Sequence, residues 1–112
     1  MGHRLHYATE YKVEWGGGVF NHCQKAFNEF LWHLCEYKWA WANNDDVAYA
    51  DEFEIDKDVL KSAIERLNEY TNEELPVELQ DRMYTVGEIY TLLNRFIDFS
   101  EPNDNFVHFS WF

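Results

Sequence analysis

Residues 19–42 read VFNHCQKAFNEFLWHLCEYKWAWA, and the reading of this stretch decides the fold. Phe20, Cys23, Phe27, Phe30, Leu31, Leu34 and Trp41 recur at helical spacing and make one apolar stripe. Trp32, Cys35 and Trp39 stand at i, i+3 and i+7 and make a second stripe beside it. At 100° per residue the two together cover roughly 220° of the circumference, more than a surface helix shows. His22, Lys25, Glu29, His33 and Glu36 fill the narrow polar face that remains. A helix over 19–41 is therefore expected either to be central and packed on two sides, or to keep the Trp32, Cys35, Trp39 stripe for a partner.

Upstream, HRLHYATEYKVEW (residues 3–15) alternates: Leu5, Tyr7, Tyr11, Val13 and Trp15 on one side, His6, Glu10, Lys12 and Glu14 on the other. A period of two with aromatic and β-branched residues predicts a strand over 3–15 with one face on a core. Gly16, Gly17 and Gly18 join it to the helix. Glycine-rich joints cradle phosphates when a helix N-terminus and a Lys-Ser/Thr pair complete them. Here Val19-Phe20-Asn21-His22 follows, so the glycines read as a tight turn.

Downstream, VAYADEFEI alternates over 47–55, with Asp51 interrupting the apolar side, and predicts a second strand. Asp56 then caps a helix over 57–70, with Ile55 and Leu60 spaced as a hydrophobic staple. One or two helical turns are expected around Val77, Leu79 and Met83. Thr85 and Glu88 have capping-box spacing and open a helix over 86–99, which Pro102 follows as a stop. NFVHFSWF (105–112) closes as a third strand. The expected fold is a single α+β domain over 1–112, a three-stranded sheet covered on one face by three helices.

Composition narrows the function. Nine basic and 21 acidic residues leave a net charge of −12, a field that repels nucleic acid and anionic membranes and attracts basic partners. The aromatic fraction is 19%, and aromatic residues are enriched at interface centres. No run is long and apolar enough to span a bilayer, and residues 1–11 have neither a signal-peptide core nor a myristoylation pattern. Cys23 and Cys35 would lie about 18 Å apart along one helix, beyond disulfide reach. Free thiols point to a reducing compartment, so a cytoplasmic location is expected.

No pattern of nucleophilic catalysis is present. Neither cysteine has a motif around it, and Ser62, Ser100 and Ser110 have no elbow glycines. The run 43–58 fails as a calcium loop, because Val47 and Ala48 fall where an oxygen ligand and glycine are required. His6 and His108 would approach if the first and last strands pair, with Glu10 nearby. Glu29, His33 and Glu36 share a helix face and are a candidate ligand- or metal-binding set, although a second element would have to complete it.

The leading expectation is a non-enzymatic acidic interaction module. Its carboxylates Asp45, Asp46, Glu52, Glu54, Asp58, Glu65, Glu69, Glu73 and Glu74 would meet a basic protein partner, with Trp32, Trp39 and Trp111 as aromatic contacts. Its sharper form is an inhibitor that occupies a nucleic-acid groove as a DNA mimic, with no cofactor. The alternatives are the Glu29/His33/Glu36 site, on a small binding protein or an enzyme, and a homodimer.

Overall fold

The computed structural model describes residues 5–8, 13–14 and 23–111. The α+β class is as expected. Strands β1 (Leu5–Ala8), β2 (Val13–Glu14), β3 (Trp41–Ala42), β4 (Glu52–Asp56) and β5 (Phe106–Trp111) form one sheet in the order β2-β1-β5-β4-β3. Every neighbouring pair is antiparallel. The three longer strands lie in the middle, with β5 between β1 and β4, and the two-residue strands form the edges.

The strand expected over 3–15 is two strands. Glu14 stands opposite Tyr7 and Val13 opposite Ala8, so the chain reverses direction between residues 8 and 13. The glycine joint and His22 lie outside the described residues.

Helix α1 (Gln24–Leu34) is shorter than the expected 19–41 helix, of which only 23–41 can be compared. It stops because Glu36 (φ 54°) and Tyr37 (φ 64°) take left-handed backbone, the usual way to end a helix but one that normally uses glycine. A partner from another helix holds the end closed. Arg66 of α2 (Lys57–Leu67) donates through Nη1 to the Leu34 carbonyl and through Nη2 to Glu36 Oε1, each at 2.5 Å. Trp39 and Trp41 therefore leave the helix, and Trp41 joins β3 opposite Glu54.

Residues 47–49, expected in the second strand, form a 3₁₀ turn. The Asp46 side chain accepts from Ala48 N and holds it. Asp56 caps α2 as expected, accepting from Asp58 N at 2.8 Å. A short α3 (Val77–Asp81) occupies the place of the expected extra turns, and α4 (Val86–Phe99) begins at the Thr85 cap, whose hydroxyl accepts from Glu88 N.

Burial alternates along the central strands. Val107, Phe109 and Trp111 of β5 and Phe53 and Ile55 of β4 are buried under the helices, while Phe106, His108, Ser110 and Glu54 lie half-exposed on the other face. Phe96 of α4 meets Phe109 edge-to-face at 5.4 Å, and Phe27 of α1 meets Trp111 at 6.0 Å. Among the described residues no helix is long and apolar enough to cross a membrane.

Candidate functional site

The aromatic stripe resolves into packing. Trp39 stacks on Phe53 with centroids 4.0 Å apart, Phe53 stacks on Phe109 at 4.8 Å, and Trp32 lies edge-on to Trp39 at 5.5 Å. Trp32 and Trp39 are half-buried, and Trp111 is only 4% exposed. Trp111 is thus a core residue rather than a partner contact, because β5 is central and its odd-numbered positions face the helices. Among the described residues the tryptophan left open is Trp41, 49% exposed on an edge strand.

Both cysteines are free and buried, at either end of α1. Burial pushes the Cys35 thiol up to about 12, while the nearby Trp39 ring and Arg66 act weakly the other way. The Trp39 Nε1 itself is buried without a hydrogen-bond acceptor in range. Burial thus keeps this thiol in its protonated, weakly nucleophilic form near neutral pH. Its folded value stands above the ordinary 9.0, so its contribution to stability is complete below pH 9 and is lost as pH rises toward about 12. Labelling with a thiol reagent at pH 8 is expected to modify Cys35 only as fast as the protein unfolds. Labelling that outpaces unfolding would show that the thiol is accessible in the native fold.

The first and last strands do pair, with Ala8 opposite His108 and His6 opposite Ser110. Glu10 lies outside the described residues, and the partners described for His108 are two other carboxylates. Its Nδ1 is 3.0 Å from Glu54 Oε1 and its Nε2 is 2.7 Å from Asp104 Oδ2. Burial opposes the charge of Asp104, but the bonds from His108 and Phe106 N and the charges of His108 and Lys57 outweigh it and hold this carboxyl below the usual range. Both ring nitrogens of His108 are thus engaged by carboxylates of the fold itself. The triad ties β4, β5 and the loop before β5 together, and Glu54 is a structural residue rather than a free acidic contact.

The expected Glu29/His33/Glu36 set does not assemble. Glu36 lies beyond the end of α1 in left-handed backbone and pairs with Arg66, and among the described residues no group of three His, Cys, Asp or Glu is placed to hold a metal ion. Glu29 and His33 instead line a groove of about 460 Å³ between α1 and the 70–78 segment. Glu74 and Glu78 stand on its other wall, and Phe30 and Tyr70, edge-to-face at 5.6 Å, contribute aromatic surface. Glu74 is anchored, since its Oε1 accepts from the Thr71 N–H and hydroxyl. His33 Nδ1 lies 2.9 Å from the Tyr37 hydroxyl.

The other acidic candidates lie on the surface. Asp45, Asp46, Glu52, Asp58, Glu65, Glu69, Glu73 and Glu74 are all exposed. Asp58 and Glu65 fall at i and i+7 on the outer side of α2, about 10.5 Å apart along its axis, and Glu69 follows beyond its C-terminus. The basic side chains do little to neutralise this surface. Lys57 donates to the Glu101 carbonyl and Arg66 closes the end of α1. In the ion pairs within the described residues, lysine and arginine reach one carboxylate, Glu36.

Comparison with known proteins gives no relative. The chain matches no protein-family model, no curated protein and no solved structure. The functional reading therefore rests on the chain's own chemistry.

Proposed function

We propose that this protein is a non-enzymatic acidic interaction module that binds a basic protein surface, and that it acts as an inhibitor by occupying a groove which otherwise holds nucleic acid. The observation that carries the reading is the excess of exposed carboxylates along α2 and the following turn, where within the described residues the ion pairs of lysine and arginine reach Glu36 alone. Exposed charge of one sign steers association with the opposite sign and suppresses binding to nucleic acid itself.

The test is calorimetric binding to an oligo-arginine peptide, together with displacement of duplex DNA from a basic DNA-binding protein. Binding is expected to weaken strongly between about 50 mM and about 500 mM salt, as screening shortens from beyond 10 Å toward a few ångströms. The combined variant Asp58→Lys, Glu65→Lys, Glu69→Lys is expected to weaken it by roughly tenfold or more. Affinity that ignores both salt and charge reversal would defeat the electrostatic reading.

A further inference from the structure

Helix α4 carries a second stripe beside the one that faces the core. Ile89, Leu93 and Phe96 are buried inward. Glu88, Leu92, Arg95 and Phe99 follow one another at offsets of four, three and four, which keeps them together on another side of the helix. Tyr84 stands four residues ahead of Glu88 and borders the same hollow as Glu88 and Leu92, open and about 590 Å³ in volume. Arg95 and Phe99 border a second hollow of about 540 Å³, and Thr91 lies between the two and borders both. Glu88 and Arg95 are exposed, Tyr84 and Leu92 half-buried, and Phe99 is 45% exposed. Within the described residues the ion pairs of lysine and arginine involve Lys38 and Arg66, so Arg95 is left without a carboxylate.

The order along this stripe is aromatic, acid, aliphatic, base, aromatic. Turned end for end, its apolar groups fall on apolar groups and its acid falls on its base. Tyr84 with Phe99, and Glu88 with Arg95, are centred on the same point of the chain, between Thr91 and Leu92. We propose that this side of α4 is the contact with a second copy of this chain, the two helices lying antiparallel about a two-fold axis between Thr91 and Leu92. A two-fold contact requires a surface complementary to itself, and this stripe is one. Each Glu88 then meets the partner's Arg95, each Tyr84 meets the partner's Phe99, and the Leu92 side chains flank the axis. Charge selects this occupant over others. A chain of net charge −12 repels its own kind, so a copy is accepted only where the charge balances. The charges of α4 are Glu88, Arg95 and Asp98, all exposed. The antiparallel arrangement pairs the first two and sets Asp98 beside the positive N-terminal end of the partner's α4. A basic protein would instead be opposed by Arg95. The contact is independent of the interaction-module reading, since none of the carboxylates named for that role lies on α4.

The experiment is sedimentation equilibrium of the full chain from micromolar to millimolar concentration, with a charge exchange across the axis. The unaltered protein is expected to pass from monomer to dimer over that range. Glu88→Arg alone sets arginine against arginine, and Arg95→Glu alone sets acid against acid, so each is expected to weaken self-association by about tenfold or more. Mixed in equal amounts, the two variants present opposite charges at both positions and are expected to form a mixed dimer as tight as the unaltered one. Glu88→Arg also disturbs the cap at Thr85, which is why the mixture matters: a misfolded variant is not rescued by a second one. A chain that stays monomeric throughout would overturn the proposal. So would a dimer indifferent to both substitutions, which places the contact elsewhere, or singles that weaken without recovery on mixing, which denies the Glu88–Arg95 pairing.

Discussion

Replacing Asn28 with leucine is expected to lower stability by about 4 kcal/mol, because one buried amide joins three parts of the fold. Asn28 is 0% exposed on α1. Its Nδ2 donates to the Val47 carbonyl at 2.8 Å and the Ala50 carbonyl at 3.0 Å, and its Oδ1 accepts from Trp111 Nε1 at 3.0 Å. Leucine has similar bulk, so the packing change is small and the loss is polar. The Trp111 N–H is left buried without an acceptor, and the Val47 carbonyl loses this donor. Both carbonyls keep another donor, the Ala50 N–H on Val47 and Gln24 Nε2 on Ala50. The one unsatisfied buried group costs about 1–3 kcal/mol and the two lost amide bonds about 1 kcal/mol each, which sets the total. Trp111→Phe alone strands the Asn28 oxygen, but in the double variant neither orphan of that pair remains. The double is therefore expected to cost less than the sum of the singles, by about 1–2 kcal/mol. Urea unfolding midpoints at constant slope measure this, and strict additivity would show that the two side chains act independently.

The second large effect is expected at Phe53. It is 1% exposed and stacked on both sides, by Trp39 at 4.0 Å and Phe109 at 4.8 Å, with Phe96 closing the column against Phe109. Phe53→Ala removes the ring and leaves a cavity under a half-buried tryptophan, an expected loss of about 4 kcal/mol. Phe53→Leu keeps much of the volume but loses the stacking, and about 1.5 kcal/mol is expected. Denaturant melts of the two variants check the order. A leucine variant as unstable as alanine would mean that ring stacking, rather than filled volume, dominates this core.

The class of the fold was legible because three segments obey simple periodicities. Helix 86–99 was readable to the residue: Thr85 supplies a cap, Ile89, Leu93 and Phe96 are buried inward, and Ser100 ends it. The last strand was equally plain, since its alternating residues are alternately buried and half-exposed. The errors have physical causes. Helix α1 ends at Glu36 and Tyr37, neither of them glycine, and what fixes that end is Arg66, 30 residues away from Glu36 in the chain. Alternation over 3–15 runs unbroken through the sequence, whereas the pairing of Tyr7 with Glu14 and Ala8 with Val13 sets odd positions against even ones, so period alone merges two strands into one. The apolar pattern over 47–49 predicts a strand where a capped turn forms, because local bonding from Asp46 outweighs alternation.

The candidate site was legible in part. Glu29, His33 and Glu74 were each singled out, but as members of different surfaces. Their meeting in one groove with Tyr70 and Glu78 depends on the packing of 70–78 against α1, which no local signal announces. Asn28 was missed for a related reason. A polar residue inside an apolar stretch looks like a surface position until tertiary partners are known, and its partners lie 19 to 83 residues away.

The strand order has a consequence for how the chain comes to be folded during synthesis. β5 is the middle strand, and the ladders on both its sides use residues 106–111. Until residues 106–111 are made, β1 and β4 have no common neighbour, and the inward faces of Phe53 and Ile55 lack Val107 and Phe109 beside them. Local helices form early, but the sheet and the core beneath it wait for the last segment described. Nascent chains therefore carry unsatisfied strand edges and apolar surface until residues 106–111 have emerged, the state in which chaperones bind and aggregation begins.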